Sequence, residues 1–174
     1  MRLDNNENVD QRALRLWLTA GLAIPEVAAF YGDAAYLINN MIAKYTLAAD
    51  SYAISKGALY QFQSDGINIS KTYSRRTFYG KQGGFIYEHA VPAGVVREVL
   101  CCGDKSTDTV RAVLRAAGTV AVLLRTENDC LNAAGLSRKM PEGWIWGDDS
   151  LARYKAVDIE LSGKVLRVSG AICR

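Results

Sequence analysis

The chain has 174 residues, 49% hydrophobic and 22% charged, with 21 Lys and Arg against 18 Asp and Glu for a formal charge of +3. That length suits one domain with its own core, and the balance excludes a disordered or fibrous chain. A net charge this small excludes a molecule-wide positive field, so any attraction to nucleic acid has to come from local clusters.

The polar start, Met1 to Asp10, predicts a flexible segment, and residues 11–174 a single domain. From Val9 to about Ser55 the pattern is helical. Leu14, Leu16, Trp17, Leu18 and Leu22 cluster on a first helix, with Asp10 available as its cap and Gly21 weakening its end. Pro25 opens a short helix that ends near Gly32. Asp33 caps a longer one, on which Tyr36, Leu37, Asn40, Met41, Lys44 and Tyr45 recur at three and four.

The period changes after Gly57. Ala58 to Phe62 and Ile67 to Ser70 read as paired strands about the turn Ser64-Asp65-Gly66. Thr72 to Tyr79 and Phe85 to His89 bracket Gly80-Lys81-Gln82-Gly83-Gly84, which predicts a hairpin with the basic segment beside His89. Pro92 ends that strand and leads into a helix from Gly94 to Leu100, followed by Ser106 to Ala117, stopped at Gly118. Thr119 to Leu124 is a short buried strand, Glu127 to Ala134 a helix ending at Gly135, and Leu151 to Tyr154 another short helix. Val157 to Ile172 reads as paired strands turning at Ser162-Gly163-Lys164. The fold class expected is α+β: N-terminal helices packed against a mainly antiparallel sheet, with additional short helices.

Cys101 and Cys102 are adjacent while Cys130 and Cys173 stand alone, so no CxxC pair or zinc-ribbon spacing is present. With no secretory leader, reduced thiols in the cytoplasm are expected, and no apolar run is long enough to cross a bilayer.

The chemistry centres on His89, the single histidine, in Phe85-Ile86-Tyr87-Glu88-His89-Ala90-Val91-Pro92. An imidazole titrates near neutrality, so beside Glu88 and the cations of Lys71-Thr72-Tyr73-Ser74-Arg75-Arg76-Thr77-Phe78-Tyr79-Gly80-Lys81 it suits proton transfer at a phosphate. RNA cleavage would use His89 and Glu88 as acid and base, with Arg75, Arg76 or Lys81 stabilising phosphoryl oxygens, and needs no cofactor. DNA cleavage would instead use His89 beside a magnesium ion held by Glu88, with Glu127 or Asp129 brought near by folding. Lys71, Tyr73, Arg75, Arg76, Tyr79 and Lys81 suit phosphate contact and base stacking. The plainer reading of the same residues is a hydrogen-bonded structural histidine, a surface ion pair at Glu88 and a solvated basic face. Successive strand residues point to opposite faces, so Glu88 and His89 share one reaction only if a bulge turns the chain.

The run Tyr87-Glu88-His89-Ala90-Val91-Pro92 resembles the Glu-His-x-x-Pro segment of small restriction or HNH-like nucleases. The stretches from Val122 to Asp129, Leu131 to Leu136, Arg138 to Trp144 and Asp149 to Tyr154 resemble prophage-borne accessory proteins, over about the second half of the chain. The resemblance implies a hydrolase of toxin or restriction type, with His89 as the water-activating histidine. A later histidine is lacking, and Asn128 or Asn132 stands only loosely for the middle residue of that motif.

The alternative is a non-enzymatic interaction or inhibitor protein that uses Trp144 and Trp146 as apolar anchors, although tryptophans in a small domain commonly fill its core. A DNA-reading module built on the first helices is less attractive, because Arg12, Arg15 and Lys44 are too dispersed to form a basic face.

Overall fold

The computed structural model describes residues 7–26, 35–78 and 84–170. Its elements are α1 (Val9–Leu22), α2 (Ala35–Leu47), β1 (Ser51–Ser55), α3 (Lys56–Ser64), β2 (Tyr73–Ser74), β3 (Phe85–His89), α4 (Ala93–Cys102), α5 (Thr107–Ala116), β4 (Val120–Leu124), α6 (Arg125–Ala133), α7 (Ala152–Lys155) and β5 (Leu161–Ser169). The fold is α+β, as the alternation of helical and extended patterns implies. The sheet is mixed, not mainly antiparallel: in the order β2-β5-β1-β4-β3, β1 runs parallel to β4 and β2 parallel to β5, while β1–β5 and β3–β4 are antiparallel.

Three apolar clusters hold it together. Leu18 and Leu22 of α1, Ile38 and Ile42 of α2, Val96 and Leu100 of α4, and Val110 and Leu114 of α5 form a helical layer. One sheet face, with Tyr52, Ile54, Phe85, Tyr87, Val120, Val122, Leu166 and Val168, takes Ala58 and Phe62 of α3 and Phe78. The other, with Ala53, Ala121 and Leu123, takes Leu131 of α6, Leu136, Tyr154 and Ile159. This assignment of alternate residues to opposite faces is the two-residue period of extended chain made visible.

Several expected elements differ. The helical stretch ends at Leu47, and Ser51–Ser55 is a central strand, buried from Tyr52 onward. Ala58 to Phe62 is helical: Ala58 and Phe62, four apart, are buried while Tyr60 between them is 75% exposed, so the four-residue spacing prevailed over the two-residue alternation. Ser55 decides the outcome locally, because its Oγ accepts from the Ala58 N–H and caps the helix. Of the stretch Val157 to Ile172, the described part, to Gly170, does not fold back on itself. β5 runs through Gly163, whose φ of +74° is open to glycine, and the residues Leu161 to Val165 oppose only Ser55 to Ala53, so the turn signal marks a bulge.

The expected hairpin of Thr72–Tyr79 with Phe85–His89 is absent. β2 pairs with β5 and β3 with β4, placing them at opposite edges of the sheet. Phe78 instead tucks between Phe62 (5.0 Å between ring centroids), Tyr73 (5.0 Å) and Phe85 (6.0 Å), and that burial draws the segment across the sheet face. The connecting residues 79–83 lie outside the described residues, as do Gly32 and Asp33. The N-terminal segment expected to be flexible is tied down from Glu7: Asn8 caps α1 through Gln11 N–H and donates to the Ala48 carbonyl, and Glu7 pairs with Arg15.

Candidate functional site

β3 delivers Glu88 and His89 to opposite faces, as regular strand geometry requires. Glu88 meets neither Arg75 nor Arg76. Its Oε1 accepts from Nη2 of Arg153, a residue of α7 with no exposed surface. The same guanidinium donates to the carbonyls of His89, Ala90 and Leu136, and the Tyr154 hydroxyl donates to the Glu88 carbonyl. A buried guanidinium is stable only when its charge is paired and its donors are filled. Arg153 and Tyr154 therefore pin the end of β3 to the segment that follows α6, and burial pushes the Tyr154 phenol well above its usual range.

His89 lies on the other face, with Nδ1 2.8 Å from Thr46 Oγ1 on the last turn of α2. The Thr46 hydroxyl also sits 2.9 Å from the Ala43 carbonyl, its acceptor within the helix. With the hydroxyl proton placed there, Nδ1–H is the donor to Thr46 and Nε2 carries the lone pair. Burial, with the Arg153 guanidinium adding to it, pushes the imidazole down to about 4. At pH 7 about one ring in a thousand is then protonated, so His89 is a poor proton donor, and a group of that pKa is a weak base.

Of the cations assigned to phosphate, Arg75 is occupied elsewhere. Arg75 is buried, and its guanidinium donates to the carbonyls of Leu47 (3.0 Å), Ala48 (2.6 Å), Ala49 (3.1 Å) and Gly170, with Asp50 at 3.4 Å. These include the end carbonyls of α2, which have no partner within the helix, and a cation there is also favoured by the helix dipole. Arg75 and His89 thus meet the same last turn of α2, and each is bound to it. Arg76 and Lys71 are exposed. Tyr73 is half-buried, packing edge-on against Phe78 while its hydroxyl donates to the Asn68 carbonyl. Tyr79 and Lys81 lie outside the described residues.

The carboxylates suggested for magnesium are similarly dispersed. Glu127 Oε2 accepts from the Leu124 N–H at 2.8 Å, closing the first turn of α6, and from Ser55 Oγ at 2.6 Å. This joins the helices that follow the parallel strands β1 and β4. It also explains Gly57, where an added Cβ would stand 2.7 Å from Glu127 Oε1. Asp129 is exposed, and among the described residues no group of three or more His, Cys, Asp or Glu side chains is placed to hold a metal ion.

An open concavity lies nearby, on the stretch after α6. Val91, Ala116, Trp144, Trp146, Gly147, Asp148 and Ser150 line a cleft of about 230 Å³. The two indoles meet edge to face, 6.2 Å between centroids and 88° between planes. They back onto the helical layer, and Ile145 between them is 68% exposed. The loop is braced from within. Ile145 N–H donates to Asp148 Oδ2 at 3.0 Å, Trp144 Nε1–H to the Asp149 carbonyl at 3.0 Å, and Asp149 pairs with Lys155 at 2.7 Å. The sequence singles out Trp144 and Trp146 but not Asp148, Ser150 or Val91. The available signal is Trp-x-Trp running into Gly147-Asp148-Asp149-Ser150, which places aromatic residues beside a polar turn. Comparison of the chain with protein-family models, curated proteins and solved structures found no match.

Proposed function

We propose that this protein acts by binding, not catalysis, and that it receives one side chain of a polypeptide partner in the cleft at Trp144 and Trp146. The observation that carries this reading is the contrast in commitment. His89, Glu88 and Arg75 are engaged in holding β3 and α2 in place, while Lys71 and Arg76 stay exposed. The cleft, by comparison, presents aromatic surface in a braced frame. Its volume of about 230 Å³ falls below the roughly 300–1,000 Å³ of pockets that enclose a whole small molecule, so a single side chain fits it better than a cofactor or nucleotide. Tryptophans in a partly desolvated hollow are the residue type most enriched among energetic anchors of interfaces.

We place its action in the cytoplasm, where Cys101, Cys102 and Cys130, which form no disulfide among the described residues, would stay reduced. Among the described residues no helix is long and apolar enough to cross a membrane.

Two assays on purified protein test the proposal. The first incubates it with labelled RNA and labelled DNA, with chelator or with magnesium, beside His89→Ala. The second measures binding to an array of random peptides beside Trp146→Ala. We expect intact nucleic acid throughout, and peptide binding that Trp146→Ala abolishes while the circular dichroism spectrum is kept. Cleavage that disappears in His89→Ala would restore the nuclease reading, and an array with no Trp146-dependent binding would overturn this one.

A further inference from the structure

Resting on the binding reading, we infer that the side chain received by the cleft is cationic, and specifically an arginine of the partner polypeptide. Three features of the cleft select that chemistry.

The first is the aromatic corner. Two indoles in edge-to-face contact, 88° between their planes, both line the cleft and offer aromatic surface to a guest beside them. An indole face carries negative charge density and attracts a cation more strongly than the ring of Tyr or Phe. A planar guanidinium stacks on such a face, whereas an ammonium presents only a point charge.

The second is the sign of the lining. Asp148 is the one acidic residue among the described residues that line the cleft, and none of them carries a positive charge. Lys155, a few residues further along the chain, is paired with Asp149. Asp148 Oδ2 accepts the Ile145 N–H, which fixes the carboxylate, and a carboxylate has acceptor capacity left for a guanidinium. An acidic guest would be repelled by Asp148, and an aliphatic one would gain nothing from its charge.

The third is the apolar part of the lining. Val91 and Ala116 are small apolar residues suited to the methylene stem of a long side chain whose charged head meets the indoles and Asp148.

The experiment titrates 15N-labelled protein with N-acetyl-arginine amide, the matching lysine derivative and the uncharged isostere N-acetyl-citrulline amide, each to ~50 mM, well above the millimolar range of weak single-site binding. The indole N–H signals of Trp144 and Trp146 are followed, with that of Trp17 as internal control. The expected result is saturable movement of the Trp144 and Trp146 signals with arginine, weaker movement with lysine and none with citrulline. Asp148→Asn keeps an oxygen for the Ile145 N–H while removing the charge, and should weaken arginine binding about threefold to tenfold.

Equal response to citrulline, an unchanged affinity in Asp148→Asn, or no movement with any derivative would overturn the inference. The peptide array separates this failure from that of the parent reading. Trp146-dependent binding without preference for arginine removes the cation assignment alone. An array without Trp146-dependent binding removes the binding reading itself.

Discussion

The end of β3 and the loop from Trp144 to Ser150 are built from opposite uses of the same chemistry. At β3 the polar groups turn inward: Glu88, Arg153, Tyr154, His89 and Thr46 satisfy one another and the backbone between them. In the loop the backbone is braced by Asp148 and Asp149, and the large side chains line open space. Charged residues in sequence thus say little about whether they face a ligand or a carbonyl, and tryptophans say little about whether they fill a core or a cleft. Which partner is nearer decides each case.

The sharpest break of this comparison is Arg153→Ala. It leaves Glu88 without its counter-charge and frees three carbonyls, which should cost about 3 to 5 kcal/mol, a large share of the 5 to 15 kcal/mol of a typical domain. Urea denaturation would read this as a lowered midpoint at unchanged slope. A shift under 1 kcal/mol, on the order of one surface pair, would mean that the end of β3 is not held as described.

Acid should reach the same region next. The unfolded imidazole takes its proton near pH 6.5 and the folded one near 4. Between these values the unfolded chain holds more protons, so stability falls as pH falls, by up to roughly 3 kcal/mol across the window. His89→Gln should flatten this part of the profile, and a variant as steep as the parent chain would place the titration elsewhere.

Arg75 and Arg76 sharpen the comparison within two consecutive residues. Arg75→Ala removes the donors at the end of α2 and should cost about 2 kcal/mol, whereas exposed Arg76→Ala should stay within about 0.5 kcal/mol. Thermal melts of the two variants suffice, and equal losses would contradict the cap. Trp146→Ala belongs near the small end for stability, about 1 kcal/mol, since the ring is only partly buried. Its effect falls on peptide binding.

Much of the helical framework was legible because capping residues and apolar periodicity agree locally. Ser106 opens α5, Gly118 follows it, and Gly135 closes α6. The strand partners were not legible. β1 is five residues whose short apolar centre, Tyr52 to Ile54, merges with the helical pattern before it, and pairing with β4 and β5 identifies it. The turn-like Gly80 to Gly84 suggested a hairpin, but the partner of β2 lies about 95 residues further on, at Val168 and Ser169, beyond any local signal.

The candidate site divides in the same way. His89 and Glu88 could be marked from residue type alone, but Thr46 and Arg153, which engage them, are distant in sequence and chemically unremarkable there. Trp144 and Trp146 were readable as anchors or as core, and the structure gives each indole both an inner contact and a cleft surface.

The single imidazole is locked in a structural role, and the ring signals of His89, followed by NMR from pH 8 to pH 5.5, report on that lock without an intermediary. With only one histidine in the sequence, the assignment is unambiguous. The expected shifts are those of a neutral ring protonated on Nδ1 across the whole range, because a group titrating near 4 stays neutral there. A midpoint between pH 6 and 7, on the order of the ordinary imidazole value, would contradict it and return His89 to the chemistry of proton transfer.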